Sequence, residues 1–172
     1  MTDLNQAVLS CWYSCAGSSN GPSSNFYGWL LVSSRTGAGG MIRQDAWNAL
    51  GQPDHFVRYA VDGVWTPWEY VNPPMQLGVE YRTVEQYNSK PVYAKAISFG
   101  QAPNATYKDV SHGIENFSQL VSYTGMMGGA NLIEASGVDN IQINASNIRI
   151  TTNTDVSANY VYLVLRYTKT TD

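Results

Sequence analysis

Residues 160–167 constrain the fold more than any other stretch. Val161, Leu163, Leu165 and Tyr167 fill one set of alternate positions, and Tyr160, Tyr162, Val164 and Arg166 fill the other. A period of two puts successive side chains on opposite faces of a strand. Both faces are apolar or amphipathic, so this strand lies centrally in a sheet or against a second subunit. Such a strand needs neighbours, and candidates recur along the chain. Residues 7–15, 27–32, 41–47, 56–60 and 65–70 read as short strands, and so do 91–99, 116–123, 141–144 and 148–151. Residues 45–50 are also compatible with a short helix. Turn chemistry separates the candidates at residues 17–22, at Gly37-Ala38-Gly39-Gly40, at Asp62-Gly63 and at residues 101–104. Asp-Gly between two strand candidates is a hairpin signal. Many short strands with turns every 8–12 residues imply an all-β sandwich or barrel.

The dipeptide Pro73-Pro74 marks the sharpest break, because Pro cannot sit in a central strand and favours an extended connector. The expected organisation is a β domain over residues 1–72, a Pro-rich linker over 73–78, and a β-sandwich over 79–172, both domains antiparallel. Composition agrees: Asn, Ser and Thr number 14, 16 and 12, and Tyr outnumbers Phe by 12 to 4. Only 13% of residues are charged and the net charge is −3, which argues against nucleic acid and against a polybasic membrane patch. No apolar run approaches the ~20 residues of a spanning helix, so no membrane insertion is expected. The start, Met1-Thr2-Asp3-Leu4, lacks the basic and apolar regions of a leader.

Catalytic signals are thin. Phosphate loops and His-Glu-x-x-His are absent from the sequence. Ser111 and His112 are adjacent, so a strand points them to opposite faces, and His112 reads as a core or turn residue. Asp45, Asp54, Asp62, Glu69, Asp109, Glu115, Glu134, Asp139 and Asp155 offer carboxylates for a glycosidase pair, but most read as turn residues. The chain is therefore read as non-enzymatic. Cys11 and Cys15, at i and i+4 of one strand, stand ~13 Å apart, too far for a disulfide. Both read as free, half-buried thiols. No cofactor or metal is implied, although an Asp/Asn loop holding Ca²⁺ stays open.

Aromatic residues are the stronger signal, since all five tryptophans lie in the first 70 residues. Trp29 with Trp65 or Trp68 is expected to fill a small core. Others suit a sugar site, where ring faces meet sugar C–H groups and amides or carboxylates bond hydroxyls. The expected ligand-binding residues are Asp45, Trp47, Asn48 and Tyr59 in the first domain, and Tyr123, Asn131 and Asn153 in the second. These are loop or strand-end positions.

Two resemblances sharpen this reading. Cys11-Trp12-Tyr13-Ser14, Gly21-Pro22, Tyr27-Gly28-Trp29-Leu30-Leu31-Val32 and the closing run from Val57 through Trp65-Thr66-Pro67-Trp68 to Tyr70 resemble the knob domain of pyocin-type tail fibres, over about residues 4–72. That family's glycine before the first Trp-Tyr is Cys11 here, which leaves the start of the first strand open. Lys90-Pro91-Val92-Tyr93, Pro103-Asn104-Ala105-Thr106, Lys108, Val110-Ser111-His112-Gly113-Ile114, Asn116 and Tyr167-Thr168-Lys169-Thr170 resemble a domain of phage fibres and receptor-binding proteins, over about 79–172. The resemblance implies the distal part of a phage or prophage tail fibre, a homotrimer in the virion whose tip binds bacterial surface polysaccharide. A spacer or trimerisation domain without its own receptor site, a glycan depolymerase, and a carbohydrate-binding module of a larger glycosidase remain the alternatives.

Overall fold

The computed structural model describes residues 1–35, 40–51, 54–129, 131–133 and 137–172. The expected turn at Gly37-Ala38-Gly39 and the carboxylate of Glu134 lie outside those residues. The described residues form an all-β fold, preceded by a short 3-10 turn at Leu4–Gln6. Among the described residues no helix is long and apolar enough to cross a membrane. The chain divides into two compact units, one of Met1–Pro74 with Arg82–Val84, the other of Met75–Tyr81 with Glu85–Asp172.

The first unit is a meander of β1 (Cys11–Ser18), β2 (Phe26–Arg35), β3 (Met41–Asn48), β4 (His55–Val61), β5 (Val64–Trp65) and β6 (Glu69–Tyr70). Neighbours run β1-β2-β3-β4-β6, and β5 also pairs with β4. Asp62 and Gly63, at φ 51° and 82°, close the β4–β5 hairpin, where both central residues need a left-handed backbone. Alternation in β2 sends Phe26, Leu30 and Val32 inward against Leu4, Ala7, Cys15, Ala46 and Phe56. Each such side chain contributes roughly 1.5–3 kcal/mol when fully buried.

Several expectations change here. The first strand begins at Cys11 rather than residue 7, because Asp3 caps the 3-10 turn by accepting from the Asn5 N–H at 2.9 Å. Cys11, at the start of this edge strand, is exposed, whereas Cys15 is buried; both are free. Residues 45–48 are strand, since β3 stays in register with β2 from Arg35↔Met41 to Gly28↔Asn48. The fifth strand breaks at Pro67, after Thr66 has donated its N–H to the Tyr59 carbonyl at 2.8 Å. Trp29 is 54% exposed rather than core, because Leu30 and Val32 take the inward parity.

Inside the sheet lies a buried polar chain. Gln44, fully buried, donates from Nε2 to the carbonyls of Leu4 and Ala7 at 2.6 and 2.9 Å, and its Oε1 accepts from Arg58 Nε at 2.8 Å. The Arg58 guanidinium lies 4.1 Å from the Trp65 ring centroid and 4.4 Å from that of Trp68. Burial lowers its pKa to about 10. The Trp-x-x-Trp run is thus a clamp for Arg58, and Trp68 is tied to the Asn20 carbonyl through its indole N–H.

The second unit packs two antiparallel sheets around one core. One holds β8 (Lys90–Gln101), β14 (Tyr160–Lys169), β10 (Phe117–Met127) and β11 (Asn131–Leu132), in that order. The other holds β12 (Val138–Ile143), β13 (Asn147–Thr152) and β9 (Tyr107–Ser111). Ile97, Phe99, Val161, Leu163 and Leu165 meet Ile148 and Ile150 across the space between them. β14 is central, flanked by β8 and β10, and its other face leaves Tyr160 and Tyr162 exposed. β7 (Glu80–Tyr87) precedes these strands, and only its middle, Arg82–Val84, groups with the first unit. Residues 75–78 bridge to β8 through Leu77↔Ala96 and through the Gly78 N–H to the Ala96 carbonyl.

Candidate functional site

The outward parity of the first unit brings together side chains that are scattered in sequence. Trp29 of β2 pairs with Trp47 of β3, and Trp47 with His55 of β4. One step along, Trp12 of β1 pairs with Leu31, Leu31 with Asp45, and Asp45 with Val57. One step further, Ser33 pairs with Arg43, and Arg43 with Tyr59. With strands ~4.8 Å apart, these four strands present a face roughly 14 Å across.

The contacts on this face form a continuous ladder. Trp12 stacks on Trp47 at 5.4 Å between ring centroids, and Trp47 stacks on His55 at 4.5 Å with 16° between planes. His55 Nε2 donates to Asp45 Oδ1 at 3.1 Å, since an ionised carboxylate only accepts. Arg43 grips the same carboxylate in a fork, Nε to Oδ2 at 2.7 Å and Nη2 to Oδ1 at 2.8 Å. The Arg43 guanidinium in turn lies 5.8 Å from the Tyr59 ring centroid. Burial opposes the charge on Asp45, but the hydrogen bonds of Arg43 and His55 outweigh it and hold its carboxyl below the usual range. Both carboxylate oxygens are therefore committed, and Asp45 orients Arg43 and His55 from a buried position.

Trp12 is 60% exposed and Tyr59 is 38% exposed, with Tyr27 also exposed. A flat aromatic surface rimmed by one guanidinium and one imidazole suits a ligand with apolar ring faces and polar edges.

The expected site residues fall as follows. Asp45, Trp47 and Tyr59 share this face. Asn48, the last residue of β3, accepts from the Leu50 N–H at 3.2 Å and shapes the following turn. Tyr123 lines a polar groove of about 330 Å³ with residues 138–141 in the second unit. Neither Asn131, which pairs with Met127, nor Asn153, exposed in the turn after β13, lines that groove. Sequence reasoning passed over Trp12, Trp29, Arg43 and His55. Strand parity was the available signal: Arg43, Asp45 and Trp47 alternate in one strand, and Trp29 opposes the inward Leu30.

The other chemical candidates are committed elsewhere. His112 is 3% exposed; its Nδ1 accepts from the Ile114 N–H and its Nε2 donates to the Asn144 carbonyl, both at 3.1 Å. Ser111 donates to the Ser146 carbonyl. Asp109 stands within β9 and forms a fork with Arg149 at 2.7 and 2.8 Å. Glu69 lies in β6, within the expected strand 65–70, and accepts from Arg82 Nε at 3.0 Å. Asp155 does hold its own turn, accepting from the Ser157 N–H and hydroxyl. Among the described residues no three His, Cys, Asp or Glu side chains form a metal-ligand set.

No family model and no curated protein matches the chain. Among solved structures, an N-truncated R2-type pyocin tail fibre is similar at 10% identity and a TM-score of 0.35, over 95% of this chain and 94% of that one. A C-terminal part of the P. aeruginosa R2 pyocin fibre gives 10% identity and 0.35, over 95% of this chain and 64% of that one. The corresponding part of the P. aeruginosa R1 fibre gives 14% and 0.33, over 96% and 65%. At these TM-scores the similarity does not establish a shared fold.

Proposed function

We propose that the chain is a receptor-binding module of a phage or prophage tail fibre, carried in the virion as a homotrimer, and that it attaches to bacterial surface polysaccharide without cleaving it. The observation that carries the glycan reading is the ladder Trp12, Trp47, His55, Arg43, Tyr59, tied together by the buried Asp45 and open to solvent at Trp12 and Tyr59. A soluble sheet that needed these rings only for its core would turn them inward. Here the inward places are already filled by Phe26, Leu30, Val32, Ala46 and Phe56. The tail-fibre reading rests on the sequence motifs at residues 11–14, 57–70 and 90–116.

Trp12, Trp29, Trp47 and Tyr59 would stack on sugar faces, and Arg43 and His55, oriented by Asp45, would bond hydroxyls. Asn48 would close one end of this surface. Tyr123, Asn131 and Asn153 would belong to a separate contact in the second domain. The test is a glycan array of bacterial surface polysaccharides probed with the full chain and with Trp12→Ala and Trp29→Ala. An exposed aromatic pair contributes about 0.5–1.5 kcal/mol beyond its buried area, so each variant should lose about two- to thirteenfold in affinity. Unchanged binding in both variants, with folding verified by circular dichroism, would remove this surface from the reading.

A further inference from the structure

At one end of the aromatic face, β2 and β3 leave a groove of about 290 Å³ between Ser33, Ser34, Arg35, Met41, Arg43 and Tyr59. Met41 and Tyr59 are exposed and supply apolar walls. Two cations lie in the lining and no carboxylate does. They differ in their state. Arg43 is fixed by its fork to Asp45, yet its side chain is 49% exposed, and its charge is largely answered by that partner. Arg35 is exposed, and among the described residues no acidic group pairs with it. The groove therefore carries about one uncompensated positive charge, in a chain whose net charge is −3.

We infer that this groove takes a carboxylate-bearing sugar, such as a uronic acid, of the glycan that lies on the aromatic face. The inference rests on the glycan reading above and adds the sugar class. A planar guanidinium matches a carboxylate through two parallel N–H···O bonds. Tyr59 and Met41 meet the C–H face of the same ring, and the Ser33 hydroxyl stands beside Arg43 on the neighbouring strand. A sugar carboxylate carries one negative charge, which one uncompensated guanidinium answers. A phosphate monoester carries roughly −1.5 to −2 and suits a site with more cations.

The experiment is an NMR titration of the ¹⁵N-labelled full chain with methyl β-glucuronoside, methyl β-glucoside and glucose 6-phosphate. Indole N–H signals report the aromatic face, and the Arg35 Nε–H reports the groove. The glucuronoside should bind about tenfold more tightly than the glucoside, or about 1.4 kcal/mol. Arg35→Gln should abolish that preference by weakening the glucuronoside, whereas Tyr59→Ala, which removes the ring that lines the groove, should weaken both. Equal affinity for the two glycosides, or a preference that survives Arg35→Gln, overturns the inference while the aromatic face stands. A preference for glucose 6-phosphate over the glucuronoside overturns the sugar class. Indole signals unmoved by any of the three sugars would overturn the glycan reading itself, and this inference with it.

Discussion

Gln44 offers the sharpest test of what holds the first unit together. Replacing it with Leu keeps the size close and removes every polar atom of the side chain. Three groups lose a partner: the Leu4 carbonyl, the Ala7 carbonyl and Arg58 Nε. The Leu4 carbonyl keeps the Ala7 N–H at 3.3 Å, so its loss is small. The Ala7 carbonyl loses its side-chain donor inside the core. Arg58 is hit hardest, because Nη2 is already buried without a partner among the described residues and Nε would join it. A buried polar group left unpaired costs about 1–3 kcal/mol, and a charged one more. The sum is about 3–5 kcal/mol, a large part of the ~5–15 kcal/mol that holds a domain folded. All five tryptophans lie in the first unit, so urea unfolding followed by tryptophan fluorescence reports that unit alone. A second variant separates the two ends of the side chain. Gln44→Glu keeps an acceptor for Arg58 but sets a carboxylate against two carbonyl oxygens. If the donor end matters as argued, it also loses about 2 kcal/mol or more. A Gln44→Leu loss below about 1 kcal/mol would refute the buried-network argument.

Two further outcomes follow from close packing and from burial. Gly28→Ala sets a Cβ 2.0 Å from the Trp47 carbonyl oxygen and 2.6 Å from the Phe26 ring, so β2 and β3 must part. The expected cost is about 3 kcal/mol or more by the same fluorescence assay, and a midpoint like that of the parent would count against the predicted clash. His112 is held neutral because burial pushes its pKa below 6.5, with the Lys95 charge adding to the push and the Asn144 carbonyl opposing it. The unfolded chain then binds a proton that the folded chain resists, so stability is complete above pH 6.5 and falls as pH drops toward the lowered folded value. Near-ultraviolet circular dichroism of the tyrosines should show this slope for the second unit. His112→Gln should flatten it, and an undiminished slope would place the titrating group elsewhere.

Strand parity was legible in the sequence, whereas the neighbours of each strand were not. In β14 the alternation of Val161, Leu163 and Leu165 against Tyr160 and Tyr162 was enough to expect a central strand, and the strand lies between β8 and β10. β7 and β9 escaped notice because charged residues interrupt their apolar positions: Arg82 and Glu85 in one, Lys108 and Asp109 in the other. Those charges are answered across strands, as Asp109 is by Arg149, and no local pattern encodes a partner 40 residues away. The aromatic face shows the same division. Parity alone puts Arg43, Asp45 and Trp47 on one side of β3, and Trp29 opposite Leu30 in β2. Register then decides that Trp47 stands beside His55 and that Asp45 lies within reach of that ring. Because a one-residue slip would turn the face inward, the inward Leu30, Val32, Ala46 and Phe56 select the register that displays the tryptophans. The core is thus what assembles the candidate site. A substitution that loosens β2 against β3 should scatter the ladder even where it touches none of its side chains.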